Sequence, residues 1–281
     1  MWPSPIGSGH RINPHAGRIT SGFWTADSYY DALQAHLTGN LRSVYLQASY
    51  TWGKTIDDSS ADIVGDEYLN SIASPLFFDP GLNRGLADFN IAQNLELNFQ
   101  WSPTWGTRPP ARIRRFTHGW QLGGVFEAST GVPFTPQIGG DALGVKSSDP
   151  AIDVPNVVGG PGCRSAAHRG DPFHYIRTEC FAYPQPANVR GNLGRNTVIG
   201  PGLVDLDTSL IKNIEVSIES RKMDIQLRGE FFNVLNRANF GPPLENKYIF
   251  EPGGQPVANA GLITDMETPG REIQFAVKAI W

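Results

Sequence analysis

The chain has 281 residues, a formal net charge of −4 and 18% charged residues, which leaves no basic footprint for nucleic acid. Hydrophobic residues make up 40%, enough for the core of one or two domains, yet no stretch approaches the roughly 20 apolar residues of a membrane-spanning helix. The 31 glycines and 22 prolines point to many turns and long loops, below the level of a low-complexity chain. Met1-Trp2-Pro3-Ser4-Pro5 lacks the basic and then apolar pattern of a secretory leader, so the expectation is a cytosolic chain or one whose true N-terminus lies elsewhere.

In chain order, a first weak segment sets Leu33, Ala35 and Leu37 against Ala32, Gln34 and His36. Val44, Leu46, Ala48, Tyr50 and Trp52 then oppose Tyr45, Gln47, Ser49 and Thr51, and Leu95, Leu97, Phe99 and Trp101 oppose Asn94, Glu96, Asn98 and Gln100. Trp120, Leu122, Gly124, Phe126 and Ala128 alternate with Gln121, Gly123, Val125, Glu127 and Ser129. Val204, Leu206, Thr208 and Leu210 alternate with Asp205, Asp207 and Ser209. Met223, Ile225, Leu227, Gly229 and Phe231 alternate with Asp224, Gln226, Arg228, Glu230 and Phe232. The last segment is the clearest: Ile273, Phe275, Val277, Ala279 and Trp281 against Glu272, Gln274, Ala276, Lys278 and Ile280. A period of two with one apolar and one polar face is a strand. In a soluble sandwich the apolar face packs on a second sheet; in an outer-membrane barrel it meets lipid while the polar face looks into a wet interior.

The connections alternate in length. Thr38-Gly39-Asn40 and Lys212 to Arg221 read as short turns, Pro103 to His118 as intermediate, and 53–88, 131–202 and 236–270 as long loops. Short turns on one side and long extracellular loops on the other are the plan of an outer-membrane barrel, with Tyr50, Trp52, Trp101, Trp120 and Trp281 expected near the interfaces. The expected class is therefore all-β, an antiparallel meander forming a partial transmembrane β-barrel. About seven strands leave the first and last running the same way, so the expectation is an arc of a larger barrel.

Four strings carry a family resemblance: Ser28-Tyr29-Tyr30-Asp31-Ala32-Leu33-Gln34; Ala48 to Asp58 (ASYTWGKTIDD); Gly191-Asn192-Leu193-Gly194-Arg195-Asn196-Thr197; and Arg228 to Gly241 (RGEFFNVLNRANFG). With the aromatic terminus, they resemble the C-terminal part of the barrel of a TonB-dependent outer-membrane receptor of the Oar-like branch, from about Arg11 onward. The resemblance implies a barrel of about 22 strands, with residues 1–27 a loop remnant and 28–281 the C-terminal barrel segment. It also implies uptake of a bulky nutrient, with outer-membrane lipid, the barrel-assembly machinery, an extracellular substrate and, through N-terminal regions absent from this sequence, the TonB complex as partners. Phe275 and Trp281 are the expected assembly aromatics. The alternative is a secreted β-sandwich module that binds carbohydrate or protein.

Glu96, Glu127, Asp205, Asp207, Asp224, Arg228, Glu230 and Lys278 are expected to face the lumen. Asp205 and Asp207 invite comparison with paired glycosidase acids, but a water-filled lumen needs polar side chains without any reaction, so no enzyme is expected. Cys163 and Cys180 are a disulfide candidate in an oxidising compartment, with two free thiols as the alternative. Among six scattered histidines, only His168 and His174 with Asp171 form a conceivable metal set, against which solvated loop histidines are expected. Gly159-Gly160-Pro161-Gly162 lacks the lysine and following helix of a phosphate loop and reads as a turn. No cofactor or metal is expected.

Overall fold

The computed structural model describes residues 26–60, 80–103, 113, 116–140, 142, 153–186, 189–218 and 221–281. Seven long strands follow in chain order: β1 (Ser28–Leu41), β2 (Val44–Asp57), β3 (Gln93–Trp101), β4 (Trp120–Ser129), β5 (Leu203–Ile218), β6 (Arg221–Phe232) and β7 (Glu272–Ile280). Each pairs antiparallel with the next to form one open meander, and the short strand Gly85–Leu86 adds to the end of β2. β1 and β7 are its two edges and run in the same direction. Of the expected loop remnant 1–27, residues 1–25 lie outside the described residues.

The register explains why the alternation of single strands becomes a two-faced sheet. Leu33 sits opposite Trp52, Ala35 opposite Tyr50 and Leu37 opposite Ala48; Ala48 meets Leu97, Leu97 meets Phe126, and Phe126 meets Leu206. On the far side Ile225 faces Ile214 and Ala279, and Phe231 faces Ile273. A slip of one residue anywhere would turn a whole strand over. Two glycines on the apolar face are covered by aromatics from the next strand. A Cβ on Gly124 would lie 2.6 Å from the Phe99 ring, and one on Gly229 would lie 3.3 Å from Phe275.

That face is bare. Leu33 is 60%, Leu37 61%, Phe275 78% and Val277 73% exposed, and among the described residues no second sheet packs on it, which sets the sandwich alternative aside. Among the described residues, no helix is long and apolar enough to cross a membrane; a barrel crosses with strands instead.

Two expected turns move. Thr38, Gly39 and Asn40 lie inside β1, paired with Gln47, Leu46 and Tyr45, and the reversal falls on Arg42 and Ser43, with Arg42 at φ 54°. Turn-forming residue types lost there to ladder hydrogen bonds that continue to Leu41 and Val44. Likewise β5 continues past Lys212 to Ile218, leaving only 219–220 as the connection. Lys212 stands in the apolar row, 5.0 Å from the Trp120 ring, and its Nζ donates to the His118 carbonyl. Its charge is thus met at the edge of the apolar face. Tyr50, opposite Ala35 and Leu95, lies in strand interiors rather than near an interface, whereas Trp101 and Trp120 do close their strands.

The buried core is elsewhere. Phe134, Val154, Ile176, Cys180, Leu193, Val198 and Ile249 are each 3% exposed or less, and all belong to the connections above one end of the sheet. Three two-residue ladders knit these connections together: Pro133–Phe134 with Val198–Ile199, Asn156–Val157 with Phe181–Ala182, and Gln137–Ile138 running parallel to Tyr248–Phe250. The Tyr175 hydroxyl donates to the Ile199 carbonyl at 2.9 Å; burial pushes this phenol up to about 12, with Arg169 opposing. We call this body of loops the cap.

Candidate functional site: the polar face and the cap

Every lumen residue expected from the sequence stands on the face opposite the apolar rows. Ser49, Glu96, Glu127 and Asp205 form one line across β2 to β5, placing three carboxylates side by side. Directly opposed like charges destabilise a sheet unless water or a counter-charge meets them, so this row suits a wet interior. Asn98 Nδ2 donates to Glu96 Oε1 at 2.8 Å. Asp207 Oδ1 accepts the Asn233 N–H at 2.8 Å, and Asp205 Oδ1 is buried without a partner. On β6, Arg228 Nη1 donates to Glu230 Oε1 at 3.3 Å in a part-exposed pair, which is worth little. Asp224 lies opposite Glu215 and Ile280, and Lys278 opposite Gln226. Phe275 and Trp281 remain on the exposed surface, Trp281 at 91%. The acidic Asp31, awkward on an apolar face, lies opposite Lys54 near the cap end of the sheet.

One further pairing joins the same line from β1: His36 Nδ1 lies 3.0 Å from Ser49 Oγ, and His36 Nε2 lies 2.9 Å from Thr38 Oγ1. The imidazole is therefore held by two hydroxyls. Among the described residues no carboxylate stands behind it to orient it as a base in the manner of a catalytic triad.

The cap is fastened to β2 through a cluster that the sequence reading missed. Arg195 Nη1 donates to Asp57 Oδ1 at 2.6 Å and Nη2 to Asp88 Oδ1 at 3.0 Å, with both carboxylates 1% exposed. Ser60 Oγ donates to Asp57 Oδ2 at 2.7 Å and accepts from Arg195 and from the Asp88 N–H. Asn196, at a left-handed φ of 55° that asparagine tolerates well, donates from Nδ2 to Leu86 O and Asp88 Oδ1 and accepts from Thr135. One planar guanidinium thus bridges two buried acids from different segments, the geometry for which arginine is suited. The only signal was the string Gly191 to Thr197, which contains Arg195 and Asn196 but names none of their partners.

A second polar clasp ties the loop after β6 to the start of β5. Asn239 Nδ2 donates to Val204 O, and its Oδ1 accepts the Val204 N–H at 3.0 Å. Asn233, at φ 46°, donates to Arg237 O and Pro269 O. Both asparagines belong to the string Arg228 to Gly241.

Cys163 and Cys180 are bonded, closing a loop of 17 residues in sequence separation. Within it Asp171 gathers both loop histidines: its Oδ2 lies 3.3 Å from His174 Nδ1 and 3.8 Å from His168 Nδ1. Desolvation opposes ionisation of Asp171, but the N–H groups of Phe173 and His174 and the His174 imidazole outweigh it and lower its carboxyl below the ordinary value. Among the described residues no group of three or more His, Cys, Asp or Glu can hold a metal ion, so these three make a hydrogen-bonded corner.

The chain matches the family model described as an outer membrane beta barrel domain over residues 4–274. No curated protein and no solved structure matches it.

Proposed function

Because the chain belongs to the family of outer membrane beta barrel domains and is thereby a protein of the bacterial outer membrane, we propose that it is the barrel segment of a TonB-dependent, Oar-like receptor for a bulky nutrient. The observation that carries this reading is the register: it lays seven strands into one surface that is apolar on one side and polar on the other, as hydrocarbon outside and water inside require. The four sequence strings supply the family branch. In this reading the cap faces the outside of the cell, the lipid partner is met by the apolar rows, and the acid line Glu96, Glu127 and Asp205 faces the path of the substrate or a plug.

The direct test is a growth comparison in the source bacterium between the parent, a strain lacking this gene and a strain lacking the TonB system. A nutrient whose use fails in both deletion strains supports the proposal. A nutrient lost on deleting the gene but still taken up without the TonB system overturns it.

A further inference from the structure

Arg177 is a cation without an anion. Its Nη1 donates to the Gly162 carbonyl at 3.1 Å, its Nε is buried with no hydrogen-bond partner, and no carboxylate of the described residues pairs with it. This contrasts with Arg195, held by two carboxylates, and Arg228, held by one. A partly buried guanidinium is costly to leave uncompensated, and here it lines a recess of about 240 Å³ between the disulfide loop and residues 257–260.

The rest of the lining is consistent with one kind of guest. His168, His174 and Thr178 add hydrogen-bonding groups, Val257 and Ala260 form an apolar wall, and Glu179 is the one carboxylate among the lining residues. The His174 Nδ1 is turned to Asp171, which leaves Nε2 free to meet a guest. We infer that this recess binds an oxyanion, a carboxylate or phosphate carried by a larger molecule, with Arg177 as its anchor. The volume decides the size of the guest: it falls short of the ~300–1,000 Å³ that holds a whole small ligand, so the recess takes one acidic group and leaves the remainder outside. The site stands independently of whether the barrel transports what it binds.

The test uses the full chain in detergent micelles, titrated calorimetrically with inorganic phosphate, galacturonate and the neutral sugar galactose. Phosphate or galacturonate is expected to saturate one site while galactose does not bind, and the stronger of the two acids identifies the natural group. Arg177→Gln should weaken binding by about tenfold or more, with the disulfide intact on a non-reducing gel. Arg164→Gln, on an exposed residue of the same loop that does not line the recess, should leave it unchanged. Absence of saturable anion binding, equal binding of galactose, or equal loss in the Arg164 and Arg177 variants would overturn the inference.

Discussion

The sheet and the cap solve opposite problems with the same chain. In the sheet, backbone ladders satisfy the polar main chain while large apolar side chains stay uncovered, Phe275 at 78% and Trp281 at 91%. In the cap there is little regular structure, yet Phe134 and Asp88 are 0% exposed. The sheet relies on its surroundings to cover it, and the cap covers itself. It is held by a buried apolar cluster, buried polar fastenings and one covalent link rather than by periodicity, so the two regions should fail under different substitutions.

The largest effect is expected in the cap. Arg195→Met leaves Asp57 and Asp88 buried without their cation and should cost about 3–5 kcal/mol of cap stability. Hydrogen exchange would then rise at residues 80–92 and 189–199 while β5 to β7 stay protected. Uniform loss across both regions would show that cap and sheet unfold as one unit. Replacing Cys163 and Cys180 together by serine should cost about 3 kcal/mol, the value for a loop of this length, again confined to the cap and read as a fall in its melting temperature.

The sheet is probed from its lipid side. Phe275→Arg should cost ~2–4 kcal/mol near the middle of a bilayer, while Gln274→Arg on the opposite face should cost far less. Urea titration of the chain folded into vesicles measures both, and equal losses would contradict the facing assigned by the register. The smallest effect sharpens the boundary between the regions. Asn239→Ala removes the clasp on Val204 and should cost about 1–3 kcal/mol, seen as faster exchange at the cap end of β5 only.

This difference also explains what could be read from the sequence. Facing needs only the identity of every second residue, so the apolar rows of β1 to β7 and all eight polar residues opposite them were legible. Strand ends were less so: Thr38-Gly39-Asn40 and Lys212 carry local turn or charge signals that the ladder and the Trp120 ring override. The cap was hardest to read, because Arg195 finds Asp57 across 138 residues and no local pattern announces such a partner. Arg177 was invisible for the converse reason, since a missing partner leaves no mark on a sequence. Asp31 shows a middle case, awkward by itself and unremarkable once Lys54 is known to stand across from it.

The parallel ladder between Gln137–Ile138 and Tyr248–Phe250 imposes a timetable. Neighbouring strands can zip as soon as each hairpin is made, but the loop after β4 must wait for a segment that follows β6 before its interior can close. Long-range pairing of this kind is slow, so the membrane wall is expected to be in place first and its lid to be finished last.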